Sequence, residues 1–332
     1  MVFTLAMKDS DASALDVAIV GGGPAGATAA TLLAQRGRRV AVFERAAHPR
    51  FHIGESLLPK NLPILDRLGV LDEVRRIGVH KPGAEFISPD HDRRESFLFS
   101  EALDPEPPHA YQVERSQFDE ILLKNARASG ADVRENCAVS DIQFEGAQQT
   151  ISISQDGRDS TVRAKLVLDA TGRDGFLARR LGIRNTNKDH NSAAIFAHFQ
   201  GIPDDAWDVT GSIALFWFEH GWFWMIPLAD GKTSIGAVCM PDYLRSRRGT
   251  LDDFFFDTIR LCPKLWEIVR RGELASPVRG AGNYSYRASR AFGPGYLMIG
   301  DAYAFVDPVF SSGVYLAMSG AERAVEAVDQ VL

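Results

Sequence analysis

Gly21-Gly22-Gly23-Pro24-Ala25-Gly26 stands between a short apolar run, Asp16 to Val20, and an Ala/Leu-rich stretch that reaches Gln35. This GxGxxG spacing suits a pyrophosphate. Gly21 permits a tight turn, Gly23 lets the backbone approach the phosphates, and Gly26 lets a helix pack closely on a strand. The helix that starts around Ala25 points its positive end at the same place. Glu44 follows 18 positions after Gly26, where an acid hydrogen-bonds a ribose hydroxyl of a dinucleotide. Far along the chain, Leu297-Met298-Ile299-Gly300-Asp301 closes an apolar run with Gly-Asp, a pairing that lets a carboxylate hold the ribityl chain of a flavin. Leu168-Asp169-Ala170-Thr171-Gly172 is a third strand end closed by glycine. Three such ends in this order point to FAD rather than NAD.

Positioning these groups requires a parallel sheet. Asp16–Val20 reads as a buried strand, the stretch to Gln35 as a helix, and Arg39–Phe43 as a second strand, apolar on both faces, which makes a right-handed βαβ unit. Ala164–Ala170 and Tyr296–Gly300 return to the parallel type, and Ser312–Leu332 has helical spacing. Between 81 and 113 and between 193 and 286 the pattern is aromatic and β-branched with turns between, as in a mostly antiparallel sheet. The fold class expected is α/β: a GxGxxG Rossmann-like FAD-binding domain with an inserted, mostly antiparallel β-sheet substrate domain. The expected division is 14–77, 111–185 and 290–332 for the FAD-binding domain, and 78–110 and 186–289 for the substrate side.

Composition narrows the class further. The 332 residues are 45% hydrophobic and 24% charged, a balance that buries a core and excludes a disordered chain. A net charge of −6 gives no global attraction to nucleic acid or anionic lipid. Three scattered cysteines without CxxC spacing fit neither a disulfide framework nor a zinc site. Met1–Leu15 has no basic segment followed by an apolar run, and no stretch has the length of a membrane span, so a cytoplasmic location is expected.

Beyond the dinucleotide signature, the chain resembles the flavin-dependent halogenases, within the FAD-dependent aromatic monooxygenase-like proteins. The resemblance runs from Asp16 to the end. Trp222-Phe223-Trp224-Met225-Ile226-Pro227 matches the family's WxWxIP, and Phe305 to Gly313 matches FxxPxxSxG. Phe51-His52-Ile53-Gly54-Glu55-Ser56-Leu57-Leu58-Pro59 looks like the family's flavin-contacting loop. Lys81, in His80-Lys81-Pro82-Gly83, falls where these enzymes place their catalytic lysine. The competing Lys60 reads as a surface charge.

The resemblance implies that reduced FAD, supplied by a separate flavin reductase, reacts with O2 and turns a halide, chloride or bromide, into hypohalous acid. Lys81 then directs the electrophilic halogen onto an aromatic ring, and partial burial would lower its pKa to a useful range. It also implies that Arg45, Ile53, Gly54, Glu55, Ser56, Arg115 and Pro308 join Gly21, Gly23, Ala25, Gly26, Glu44, Asp169, Gly172, Gly300, Asp301 and Gly313 around the cofactor. Backbone N–H groups at Ser312 and Gly313 would hold the halide at the positive end of the last helix. Trp222 and Trp224, alternate residues on one strand face, would wall the pocket. Tryptophan-type members carry a glutamate where Phe310 stands here, so an electron-rich phenol or pyrrole, free or tethered to a carrier protein, is the expected substrate. Family members continue past the last helix into a substrate-covering segment, and the expectation is a core without that cover. Two other readings stand beside this one. Arg173-Asp174-Gly175 also suits a single-component, NAD(P)H-reduced aromatic monooxygenase, and a Trp-x-Phe-Pro-like loop occurs in polyprenyl-lipid flavin reductases.

Overall fold

The computed structural model describes residues 14–332 apart from 90, 92 and 187–191, and apart from the side chains of 283 and 284. Residues 1–13, on which most of the reading about a leader rests, lie outside the described residues. Leu15–Val20, with Val17, Ala18 and Ile19 fully buried, forms the central strand of the first sheet. It pairs in parallel with Val40–Phe43 on one side and with the second half of Arg158–Asp169 on the other. Tyr296–Met298 extends the sheet in parallel beyond Asp169, and Asp132–Arg134 extends it beyond Phe43. The α-helix Pro24–Gln35 returns across this sheet with Pro24 in its first turn, where a missing N–H costs nothing. The last helix, Gly313–Val331, packs beside it through Met318, Ala321, Val325 and Val328, all buried.

The first half of Arg158–Asp169 pairs antiparallel with Gln148–Gln155, which in turn pairs with Cys137–Glu145. This hairpin was not read from the sequence. Its strands alternate buried and exposed residues on a partly solvated sheet margin, a weaker signal than the fully apolar runs of the parallel strands.

A second mixed sheet holds Ser192–Gln200, Lys232–Cys239, Gly221–Pro227 and Ile213–Phe218 in antiparallel order. Gly83–Ile87 joins Ile213–Phe218 in parallel, so the insertion from 81 to 113 and the later one build one sheet. Strand alternation gives this sheet two apolar faces. Ile195, Ala197, Phe199, Phe216 and Phe223 pack against the helices Leu251–Arg260 and Pro263–Val269. Ala194, Phe196, Leu215, Trp224 and Ile226 look the other way, toward the dinucleotide domain. Those helices lie inside a stretch read as sheet. Phe254, Phe255, Thr258 and Ile259 fall on one helical face, and Thr250 caps the helix by accepting from the Asp253 N–H at 3.1 Å. Phe255 is fully buried, a contribution of about 1.5–3 kcal/mol by apolar transfer alone. None of the helices among the described residues is long and apolar enough to cross a membrane.

Candidate active site

The parallel strand ends converge on one cavity of about 680 Å³, which runs from the glycine turn to the aromatic face of the second sheet. At the turn, Gly21 has φ +101°, and a Cβ there would stand 2.5 Å from the Ala170 carbonyl oxygen. Gly26 does not face the cavity. A Cβ on it would sit 1.9 Å from the Gly21 oxygen, so this glycine lets helix and strand touch. The helix Pro24–Gln35 starts with no side-chain cap and no acid in its first turn. Its N-terminal N–H groups and positive dipole are therefore left for a ligand anion.

Glu44 is buried and accepts from the Gly22 N–H at 2.7 Å and the Ala46 N–H at 2.9 Å, so it braces the turn while lining the cavity. Arg45 pairs with Asp174 at 2.6 Å across the cavity wall. Asp169 lies outside the lining. One carboxylate oxygen accepts from the Thr171 N–H at 3.0 Å and hydroxyl at 2.6 Å, and the other accepts from the Leu177 N–H at 2.7 Å. It thus orders the turn that presents Thr171 and Gly172 to the cavity. Gly300 is also outside the lining, while its neighbour Asp301 is in it. Burial pushes the Asp301 carboxyl up to about 6, against the opposing pull of Arg173 and Arg115.

The loop from 51 to 56 forms the next part of the wall. Arg115 anchors it, donating from Nη1 to the Ile53 and Gly54 carbonyls at 3.0 and 3.3 Å, while a bidentate pair with buried Asp119 fixes its guanidinium. Arg115, with Asp301 and Arg173, sets a polar group on each side of the cavity's middle. Opposite stand Trp222 and Trp224, with ring centroids 6.1 Å apart, and Trp224 donates from Nε1 to Ser234 Oγ at 3.1 Å. Gly236 leaves room for that ring. A Cβ there would lie 2.3 Å from Trp224 Cζ2 and 2.6 Å from Phe196 Cβ. Gly236→Ala is expected to drive the indole into the cavity and, at an overpacking cost of about 1–3 kcal/mol, to weaken flavin binding by about tenfold or more. Fluorescence titration with FAD checks this, and unchanged affinity would mean that the ring yields in another direction.

At the last helix, Pro308, Ser311 and Gly313 line the cavity, and Ser312 does not. Ser311 takes a left-handed conformation, φ 56°, and no side chain caps the helix that follows. A Cβ on Gly313 would meet no protein atom within 4 Å, so the space before it is open for a ligand. Sequence reading expected the halide at Ser312 and Gly313; Ser311, which it did not single out, lines the cavity in an αL turn.

Lys81 does not line the cavity. It is 1% exposed, and its Nζ donates to Ser56 Oγ and to the Leu57 carbonyl, both at 2.8 Å, 5.2 Å above the Phe99 ring. Burial alone lowers its pKa to about 7, and no carboxylate of the described residues forms an ion pair with it. Ser56 lines the cavity, so one hydroxyl separates the amine from it. Lys60, by contrast, is half exposed and pairs with Asp104 at the surface. His198 and Arg50 were not singled out from sequence. His198 is 143 positions from its partner Glu55, and no local spacing announces such a pair.

An uncapped helix end, a turn too tight for side chains, a carboxyl facing the middle and an apolar aromatic end fit a dinucleotide that carries a flat ring system. Residues 14–332 match the family model described as FAD binding domain, the class these features define. A tryptophan 2-halogenase of Chondromyces crocatus is 34% identical over 327 residues, an alignment that covers 96% of this chain and 62% of that protein. A 1H-pyrrole-2-carbonyl-(peptidyl-carrier protein) chlorinase of Pseudomonas fluorescens is 33% identical over 350 residues, covering 97% of this chain and 77% of that one. The solved myxobacterial chondrochloren halogenase CndH superposes with a TM-score of 0.91 at 33% identity, over 96% of this chain and 75% of its own. The chain belongs to the flavin-dependent halogenase family of FAD-binding proteins, and FAD is its cofactor. It spans about 62% of the length of the tryptophan 2-halogenase it matches.

Proposed function

We propose that this chain is the catalytic core of a halogenase that takes reduced FAD from a separate reductase and places chlorine or bromine on an electron-rich aromatic ring. The observation that carries this reading is Lys81, a buried amine without a carboxylate partner among the described residues, held one hydroxyl away from the flavin cavity. Bound reduced flavin supplies, with O2, the oxidising equivalent that converts halide into hypohalous acid. The chain does the rest. The uncapped helix start with Gly21, Gly23 and Ala25 holds the pyrophosphate. Glu44 and Arg45 flank the adenosine side, Asp301 holds the ribityl chain, and Ile53 to Ser56 with Pro308 border the ring system. N–H groups at Ser312 and Gly313 hold the halide beside it. Trp222 and Trp224 keep the aromatic substrate off the flavin, and Lys81 hydrogen-bonds and polarises the hypohalous acid that passes Ser56.

Phe310 supports the substrate class. It is 70% exposed and offers no carboxylate where tryptophan-type members have a glutamate, so the ring must bring its own activation, as a phenol or pyrrole does. A carrier-tethered acyl group is as suitable as a free ring, since the pyrrole chlorinase relative is named for such a substrate.

The test supplies FAD, a flavin reductase, NADH, bromide or chloride, and a panel of phenols, pyrroles and carrier-bound acyl groups, with products read by mass spectrometry. Halogenated product from the phenol or pyrrole arms is expected. Hydroxylated product alone, or NADH oxidation by the chain without a reductase, would replace this reading with a single-component monooxygenase.

A further inference from the structure

Two consecutive residues of one extended segment are used in opposite directions. Residues 55–57 run beside the strand Ala110–Gln112, with the Val113 N–H donating to the Glu55 carbonyl at 2.7 Å and the Leu57 N–H to the Tyr111 carbonyl at 3.0 Å. Alternation along this segment sends Ser56 to Lys81 and Glu55 to the second sheet. There Glu55 Oε1 lies 2.7 Å from Nε2 of His198, on the strand Ser192–Gln200. Glu55 is 1% exposed and His198 8%. The other Glu55 oxygen, Oε2, is buried without a hydrogen-bond partner among the described residues.

A buried carboxylate with one oxygen unsatisfied is costly unless a proton offsets its charge, and the imidazole is the group placed to share one. The charges nearby are themselves occupied. Glu114 is held by Lys232 at 2.8 Å and by Gln117 at 2.8 Å, and Arg115 grips the carbonyls of residues 53 and 54 and the Asp119 carboxylate. Arg279 lies over the Phe51 ring at 4.6 Å, and that ring meets His198 edge-on at 5.9 Å. The backbone of His198 is pinned too, its N–H donating to Ser276 Oγ at 2.9 Å and its carbonyl accepting from the Ala275 N–H at 2.8 Å.

The reaction proposed above needs such a proton. Reduced FAD (FADH2), O2, halide, an aromatic C–H and one proton give FAD, the aryl halide and two waters. The flavin supplies two hydrogens and the ring one, so the fourth must come from the protein or solvent. Of the other titratable groups lining the cavity, Asp301, raised to about 6, is the one the proposed function places on the ribityl chain, and the rest are committed. Glu44 accepts from two backbone N–H groups, Asp174 is paired with Arg45, and His52, which burial and then Arg115 hold down at about 3, is a neutral ring.

We propose that Glu55 is the proton donor of the halogenation, with His198 as the positioning residue that holds and renews its proton. This rests on the halogenase reading. Glu55 lines the cavity and releases the shared proton to an oxygen leaving as water, and His198, at the edge of solvent, recovers one. Glu55 and Lys81, on the two sides of one segment, then divide the work. The first supplies the proton and the second directs the halogen.

His198→Gln and Glu55→Gln test this in the FAD-loaded chain, with monobromination of a phenol as the readout. Both are expected to slow product formation by about 100-fold, the size of a lost general acid. Both variants should lose the wild-type dependence of rate on pH, and added imidazole should partly restore His198→Gln. FAD affinity of His198→Gln stays within about threefold of wild type, which separates a lost proton from a lost site. A second readout needs no flavin. Proton NMR of the unloaded wild type should show an exchange-protected Nε2–H of His198 that disappears in Glu55→Leu, which leaves no acceptor. Wild-type rates and pH profiles in both variants, or no protected resonance, would overturn the proposal. A wild type that makes no halogenated product overturns the halogenase reading and the donor role with it, while a missing resonance beside halogenated product overturns the donor role alone.

Discussion

Lys81→Ala is expected to lower halogenation by about 10²–10⁴-fold, while FAD still binds. The reason is positional. Lys81 lies outside the cavity, so its loss leaves the residues of the flavin wall in place, and the amine proposed to polarise the hypohalous acid behind Ser56 disappears. Product by mass spectrometry and FAD affinity by fluorescence are read on the same sample. Regioselective product at wild-type rate would remove Lys81 from the mechanism. Lys81→Met adds a thermodynamic arm. The Lys81 amine titrates at about 7 in the folded chain against 10.5 ordinarily, because burial penalises its charge. Between those values the unfolded chain holds a proton that the folded chain has lost, so folded stability rises with pH across that window and is lowest below it. The Tm of Lys81→Met relative to wild type therefore falls as pH is raised from about 6 to about 10, and a pH-independent difference would mean that the buried amine is not depressed.

Arg115→Met has the second large effect, and on stability first. The guanidinium offsets Asp119, which is fully buried and held below the usual carboxylate range by that neighbour against the cost of its burial. Removing one partner of a buried pair costs about 3–5 kcal/mol, because the other charge stays behind. Arg50, 3.5 Å from Asp119, keeps the loss toward the lower end. The same change frees the carbonyls of residues 53 and 54, so FAD affinity falls with the melting temperature. Arg115→Met/Asp119→Leu, with both charges removed, should recover much of the stability while FAD binding stays weak. If the double variant bound FAD like wild type, the guanidinium would have no part in holding the loop.

The glycine turn, the strand ends at Gly172 and Asp301 and the last helix were legible in the sequence because each is local. A turn that needs φ +101°, or a strand buried on both faces, writes its requirement into a few adjacent residues. The helices that cover the second sheet fell inside a stretch read as sheet, because the four phenylalanines and tryptophans between 254 and 266 and the β-branched residues around them outweighed the i, i+3, i+4 spacing. Asp169 carried the same difficulty in reverse. Its place beside the glycine suggested a cofactor contact, and only the folded turn shows both its oxygens accepting from the chain itself.

By itself, then, the sequence determined a dinucleotide fold of the FAD type, through patterns that repeat every few residues, and, through its resemblance to the halogenases, the residue types around the site. It could not determine which side chains face each other. Lys81 meets Ser56 across 25 positions, His198 meets Glu55 across 143, and the Trp224 ring fits only because Gly236 lies on the neighbouring strand. Such meetings depend on strand register and on which face of a sheet is buried, and those are fixed when the whole core packs. That is why the cofactor class was written in the chain, and why the place of Lys81, behind the cavity wall rather than in it, was decided by the tertiary structure.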